Sequence, residues 1–363
     1  MGLPRTCPGP HHIDPTSSTD VTPLRLGVVG CGAVTERYHL PALLAAPDDV
    51  QVSAFVDLDV DRARALASRF PGAAAFSTHE ELRGRVDTVL LAAPNALHAA
   101  IGAPLLADGI HLLVEKPMAR TVAECDRLLE AAASGAAVIA VGHDFRHFPV
   151  ARYARQLFAA RTLGEVHRVD VRQSAGGRWP YASPAALSPA AGGGVLLDFG
   201  VHLLDLLTWW LGDLRVVAAR DDARGGIETD CEVEFELAGG APVLFELSRT
   251  RELRDTVVVE CERGTVEIGI FEPAVVRLTP RGGDLAAEGS VPDAVFTRAP
   301  MPTVFGRQLG EFARAVRGEP SAIVTGAEGR RVVALAEECY ALRRSWQMPW
   351  DYPDAYTFVE ETR

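Results

Sequence analysis

The stretch LRLGVVGCGAVT, residues 24–35, constrains the fold more than any other part of the chain. Apart from Arg25 its first seven residues are apolar or glycine, and such a run reads as a parallel strand buried on both faces. Gly30 and Gly32 then break the strand into a tight turn, and a helix is expected from about Ala33 to Ala45. Strand, glycine turn and helix in that order open a βαβ unit.

The alternation continues. Strands are expected over 51–57, 86–94, 110–117 and 136–145, with helices over 59–70, 98–109 and 121–135 between them. Spacing of this kind builds a doubly wound parallel sheet. Past residue 146 the character changes. A helix over 151–161 and a strand over 164–173 lead into a Gly- and Pro-rich stretch, 174–194, and then a long apolar helix, VLLDFGVHLLDLLTWWLG, 195–212. Alternating segments follow up to about residue 280, with two closing helices after them. They read as antiparallel strands with one solvated face. The expected class is α/β: an N-terminal Rossmann sheet over 23–146, and an α+β substrate and oligomerisation domain with an open, mostly antiparallel sheet over 147–350. Residues 1–22 and 351–363 are expected to be tails, the first disordered. The open sheet needs cover on its second face, which points to a homodimer or homotetramer packed through it.

Composition narrows the partners. Thirty-six Lys and Arg against 48 Asp and Glu give a formal charge of −12, with no basic block. That argues against nucleic acid and against an anionic membrane surface. No run reaches the ~18 apolar residues of a membrane span, and the N-terminus lacks the apolar core of a secretory signal. The six cysteines are scattered with no CxxC pair, which suits a reducing, cytoplasmic setting rather than a disulfide framework. No metal motif is present, and His11 and His12 read as a solvated pair in the tail.

The glycine turn is the first candidate site. Gly30 allows the turn, Gly32 lets the backbone approach a pyrophosphate, and Ala33 and Val34 open the helix whose free N–H groups face the phosphates. Thr35 stands where the dinucleotide fingerprint has its third glycine, at a position that serves helix–strand packing. Asp57, 27 residues after Gly30, ends the second strand. A carboxylate there accepts from ribose hydroxyls and repels a 2′-phosphate, which favours NAD over NADP. Asp57 can instead cap the following helix, although Asp59 is also placed to do that.

Two further groupings carry chemistry. Glu115, Lys116 and Pro117 end the 110–117 strand, and taken alone such a triplet can be a surface turn. On the long helix Asp198 and His202 are four residues apart and share a face, with Asp205 three further on. Polar groups on a core helix are costly unless partnered or used.

In order along the chain, GVVGCGAVTERYHLPAL (27–43), APNALHAAIGAPLLADGIHLLVEKPMA (93–119) and GGGVLLDFGVHLLDLL (192–207) resemble the Gfo/Idh/MocA family, the oxidoreductases related to glucose–fructose oxidoreductase and inositol dehydrogenase. The resemblance spans about residues 24–345. It implies that Lys116 faces both nicotinamide and substrate, that Asp198 orients substrate hydroxyls, and that His202 is the acid/base partner of the reacting oxygen. It implies cofactor contacts from Pro94, Asn95, His98, Glu115 and Arg146. Partial burial beside a nicotinamide ring is expected to lower the Lys116 pKa, and a cis Lys116–Pro117 bond is open. Family members often have asparagine where this chain has Asp144.

The 174–194 stretch precedes the Asp198 helix, and a loop of that length is usually functional. Arg178, Trp179 and Tyr181 are candidates to grip a sugar or a diphosphate, with simple packing equally open for Trp179. The leading expectation is an NAD(P)-dependent oxidoreductase acting on a secondary alcohol or ketone of a sugar, sugar nucleotide or cyclitol. Alternatives stay open: a glycosidase or epimerase that retains NAD and oxidises its substrate transiently, a non-catalytic NAD-binding regulator and, within the fold, an aromatic diol dehydrogenase or a biliverdin-type reductase.

Overall fold

The computed structural model describes residues 22–45, 49–174, 194–223, 226–283, 287–293, 297 and 300–346. In the first half, strands β1 (Leu24–Val29), β2 (Val50–Val56), β3 (Ala74–Phe76), β4 (Thr88–Leu91), β5 (His111–Glu115) and β6 (Ile139–Gly142) pair in parallel in the order β6-β5-β4-β1-β2-β3. Helices α1 (Leu40–Leu44), α2 (Val60–Ala67), α3 (His98–Ala107) and α4 (Val122–Ser134) connect them. Leu26, Val28, Leu90, Leu113 and Ala140 are wholly buried, as their unbroken apolar runs require.

The register sets up the site. Val29 pairs with Leu91, Leu91 with Val114, and Val114 with Val141. The loops that start at Gly30, Ala92, Lys116 and His143 therefore leave the sheet along one carboxyl edge, the edge at which open α/β sheets bind ligands.

After α5 (Pro149–Ala159) the chain enters a nine-stranded sheet. Its strands are β7 (Val166–Ser174), β8 (Leu214–Asp221), β9 (Asp230–Leu237), β10 (Pro242–Ser248), β11 (Thr256–Cys261), β12 (Gly264–Gly269), β13 (Val275–Pro280), β14 (Ala287–Ser290) and, from the C-terminal end of the chain, β16 (Arg343–Ser345). Their order is β14-β13-β12-β11-β7-β10-β9-β8-β16, antiparallel except where β7 meets β10 and β8 meets β16. Val169, Val171, Phe235, Phe245 and Leu247 point to one face, buried in the core cluster that takes in α6 (Val201–Leu211). The other face carries ion pairs within the sheet, among them Arg215–Glu236 at 2.9 Å and Arg254–Glu267 at 2.7 Å.

The C-terminal segment returns to the first sheet. After α7 (Pro300–Val316), β15 (Val324–Thr325) pairs antiparallel with β6, and α8 (Gly326–Leu342) packs against α4 and α6. Thr325 and Glu328 form a capping box at the start of α8. Strands β3, β14, β15 and β16 were not expected from the sequence; each has four residues or fewer and lacks a long apolar alternation.

Candidate active site

The turn after β1 is built almost entirely from backbone. Gly30 has φ +95°, and a Cβ there would lie 2.5 Å from the Ala92 carbonyl oxygen. No other residue type fits. A Cβ on Gly32 would meet nothing within 4 Å, so this glycine borders open space at the mouth of the turn. Thr35 does more than pack: its hydroxyl donates to the Gly30 carbonyl at 2.6 Å and ties the turn shut. Ala33 and Val34 are half-buried at the helical start, and Glu36 N–H donates to the Gly32 carbonyl at 3.0 Å. The helix opens with a π-turn, Thr35–His39, before α1.

Asp57 sits at the end of β2. One of its oxygens accepts from Cys31 N–H at 2.8 Å and the other from Asp59 N–H at 2.9 Å. Asp59, not Asp57, caps α2, accepting from Asp61 and Arg62 N–H. Burial, helped by the Asp57 charge, pushes the Cys31 thiol up to about 12, so it stays a thiol. A tight turn that only glycine can make, an open glycine face, a helix start and a strand-end carboxylate are the features a dinucleotide requires, and the residues present fit that group.

Along the same edge, β5 delivers Glu115 and Lys116. The Lys116–Pro117 peptide is cis. The Lys116 ammonium donates to Oδ1 of Asp198 at 3.0 Å and to its backbone carbonyl at 2.9 Å. Burial opposes the charge on Lys116. The Asp198 carboxylate, with Glu115 and Asp144 behind it, outweighs that, and the pKa lies above the ordinary lysine value. The expectation of a lowered pKa is therefore corrected: burial does act, but the carboxylate in contact decides the sign. Glu115 is buried and takes the His39 ring Nε2 at 2.7 Å on one oxygen. Its other oxygen accepts from Lys116 N–H at 3.2 Å. Burial works against the Glu115 charge, but His39 and Lys116 hold its pKa below the usual range.

Asp198 comes from a second π-turn, Leu196–Gly200, that leads into α6. The extra residue per turn shifts the phase of the helix. Asp198 and His202, four residues apart across this turn, take different protein partners. Asp198 Oδ2 accepts from Arg249 at 2.7 Å, just beyond β10. His202 is buried, with Phe145 stacked on its ring at 4.4 Å and Nδ1 lying 3.3 Å from Asp144 Oδ1. Burial first, then the Lys116 cation and His143, press the His202 pKa well below normal. Burial and the Glu115 charge raise Asp144 to about 7. The contact is therefore one between a neutral imidazole and an acid, although its distance alone would suit an ion pair.

Two residues expected at the cofactor have protein partners in this structure. The Arg146 guanidinium is only 4% exposed; it forks onto both Asp205 oxygens at 2.7 and 2.8 Å, reaches Glu328 at 2.8 Å and lies over the Trp209 ring. Three of its N–H donors pin the turn after β6 to α6 and α8. His98 is buried with its nitrogens 3.0 Å from the Pro117 carbonyl and 2.9 Å from the Ala93 carbonyl. It clamps the loop that carries Lys116 to the end of β4. Pro94 and Asn95 open a short 3-10 turn at the same edge, Pro94 exposed and Asn95 half-buried. Arg178, Trp179 and Tyr181 lie outside the described residues. Arg249 escaped the sequence reading; it sits in no spacing pattern, and only the fold brings it to Asp198. Among the described residues no cluster of three or more His, Cys, Asp or Glu side chains is placed to hold a metal ion, and no helix is long and apolar enough to cross a membrane.

Fold and site together define a two-domain Rossmann protein whose dinucleotide cradle shares a sheet edge with a lysine–carboxylate–histidine cluster. The chain belongs to the GFO/IDH/MocA family: residues 24–143 match its domain described as an oxidoreductase family NAD-binding Rossmann fold, and residues 151–267 match its C-terminal domain. It is 35% identical over 211 residues to dTDP-3,4-didehydro-2,6-dideoxy-alpha-D-glucose 3-reductase of Streptomyces violaceoruber, covering 56% of this chain and 60% of that protein. It is 27% identical over 328 residues to the rhizopine catabolism protein MocA of Rhizobium meliloti, covering 87% and 94%. In fold it is similar to the crystal structure of KijD10, a 3-ketoreductase from Actinomadura kijaniata in complex with NADP and TDP-benzene, with a TM-score of 0.77 and 23% identity over 90% of this chain and 100% of that one.

Proposed function

We propose that the protein is an NAD-dependent oxidoreductase acting on a secondary alcohol or ketone of a sugar, sugar nucleotide or cyclitol. The observation that carries this reading is the meeting of Lys116, at the end of β5, with Asp198, on the helix of the second domain, 3.0 Å apart. A nicotinamide dinucleotide bound in the cradle supplies the hydride chemistry. The chain's own residues handle the proton. With its pKa held up, Lys116 rests as an ammonium, ready to give a proton to a carbonyl oxygen. To act as a base it must first part from Asp198. Asp198, fixed by Arg249, orients Lys116 and the substrate hydroxyls. His202, neutral and buried, faces the reacting oxygen as a hydrogen-bond partner.

The sugar class is supported by the reductase relative. The preference for NAD rests on Asp57, whose carboxylate at the ribose end of the cradle opposes a 2′-phosphate. We further propose a division near residue 146, with the outer face of the second sheet meeting a second copy. Light scattering on the full chain tests the latter.

The test of function is an absorbance assay for NADH with NAD or NADP and a panel of inositols, aldoses, amino sugars and nucleotide sugars. A Lys116→Ala protein that still binds cofactor serves as control. Net NADH with one substrate group, lost in the variant, is the expected result. Preference for NADP would overturn the Asp57 reading. Tightly retained NAD with no net turnover would point instead to transient oxidation.

A further inference from the structure

The turn between β6 and α5 holds an acid that the chemistry above leaves unused. Asp144 is 7% exposed, and its Oδ1 lies 3.3 Å from Nδ1 of His202. Nδ1 makes no aligned hydrogen bond, to Asp144 or to any other described group, and the Asp144 oxygen is the carboxylate within its reach. Packing fixes the contact. Phe145 stacks on the imidazole with 18° between the planes, and His143 meets it edge-on at 6.0 Å. Two residues along the same turn, Arg146 is locked to Asp205 of α6, one helical turn beyond His202. The turn and the histidine therefore cannot drift apart without breaking a buried ion pair.

We propose that Asp144 is a positioning residue that decides which ring nitrogen of His202 carries its proton. The inference deepens the reading of His202 as the partner of the reacting oxygen, and rests on it. When Asp144 is ionised it accepts from Nδ1–H, and Nε2 presents a lone pair. In that form His202 accepts from a substrate hydroxyl, as oxidation of an alcohol needs. When Asp144 is protonated its O–H donates to Nδ1, and Nε2 bears the hydrogen. In that form His202 donates to a carbonyl oxygen, as reduction needs. The imidazole is neutral in both forms, and the two differ by one proton, held on Asp144 or released to solvent. An asparagine at this position can pair with Nδ1 in either sense but does not titrate, so the aspartate is what makes the tautomer respond to pH.

The surrounding charges agree. Asp144 faces Glu115 and Lys116 from the end of β5 and Asp205 from α6, and His202 faces Lys116 and His143. Burial and Glu115 bring the Asp144 change to about 7, while the imidazole stays neutral down to well below its usual range and Lys116 stays charged above its own. In the neutral range the acid is the member of this set that titrates.

The direct test is the tautomer itself. Two-bond proton–nitrogen spectra of the full chain labelled with ¹⁵N-histidine separate the two forms, and a His202→Gln protein identifies the resonance. Between about pH 5.5 and about pH 9, His202 is expected to pass from the Nε2–H to the Nδ1–H form in the wild type and to hold one form in Asp144→Asn. A single tautomer throughout in the wild type, or the same change in the variant, overturns the proposal. The spectra need no substrate, so they fail or succeed separately from the oxidoreductase reading. With substrate, the ratio of oxidation to reduction kcat should shift about tenfold from pH 6 to pH 8 in the wild type and less than about twofold in Asp144→Asn. Equal shifts in both would also overturn it.

Discussion

The turn after β1 and the turn after β6 leave the same sheet edge, yet they are built by opposite means. The first is backbone: a glycine with positive φ, an open glycine, a threonine hydroxyl on a carbonyl, and a carboxylate 26 residues away from the N–H it accepts. The second is side chain. His143, Asp144, Arg146 and His147 are all buried, and Arg146 finds its partners 59 and 182 residues further on. A site made of backbone can be written in a dozen consecutive residues. A site made of buried side chains exists only once distant segments have closed over it.

The largest test of this contrast falls on the lysine that stands between the two turns. Lys116→Ala should lower turnover by about 10²–10⁴-fold, while cofactor affinity, measured by calorimetry, changes little. A comparable loss of cofactor affinity would mean that Lys116 belongs to the cradle. Next comes the side-chain turn. Arg146→Met leaves Asp205 fully buried without its cation, and should cost about 3–5 kcal/mol in urea unfolding. Arg146→Met with Asp205→Leu should recover most of that, because both charges go together. If the single and double variants are equally unstable, the pair is not what holds the turn to α6.

The backbone turn should break differently. Gly30→Ala meets the Ala92 carbonyl at 2.5 Å in a left-handed conformation and should cost about 2–3 kcal/mol of stability. Gly32→Ala has room, so its stability should stay within about 0.5 kcal/mol. Its dinucleotide affinity should nonetheless fall about tenfold or more, since the methyl occupies the face the pyrophosphate approaches. Unchanged affinity for Gly32→Ala would place the phosphates elsewhere.

The same contrast explains what could be read from the sequence. The parallel sheet, the glycine turn, Asp57 at a strand end and Lys116 at another were all legible, because each is a local pattern of apolar runs and punctuation. The placement of Asp198 against His202 was only half legible. Spacing put them on one face, but not the partners: Asp198 meets Lys116 and Arg249, His202 meets Asp144, and a π-turn over Leu196–Gly200 leads into the helix. No residue in LLDFG announces a π-turn. Arg146 was a cofactor candidate through the family resemblance alone, and its acceptors on α6 and α8 were invisible until those helices had packed there. The sign of the Lys116 shift was missed for a related reason: burial can be guessed from an apolar run, but a carboxylate 82 residues away cannot.

The smallest effect is also the one that separates the two turns by pH. Asp144 carries a pKa raised to about 7 by burial and by Glu115, against about 3.9 in an unfolded chain. Between those values the folded protein keeps a proton that the unfolded chain has released. Its contribution to stability is therefore greatest at acid pH and is lost as pH rises toward about 7. His98, His143, His147 and His202 act in the opposite sense. Burial lowers the pKa of each, so their contribution is present above about 6.5 and is lost as pH falls below it. The wild-type curve mixes these slopes, and only the difference between two proteins isolates Asp144. Asp144→Asn removes one falling slope and leaves the histidines in place. It should be close to neutral near pH 4 and stabilising by about 1 kcal/mol at pH 8, the buried amide giving back part of what the lost charge releases. A Gly32→Ala protein taken through the same titration should track the wild type at every pH, because the substitution neither adds nor removes an ionisable group. If Asp144→Asn also tracks the wild type, Asp144 is ionised in the folded protein at neutral pH and the raised pKa is wrong.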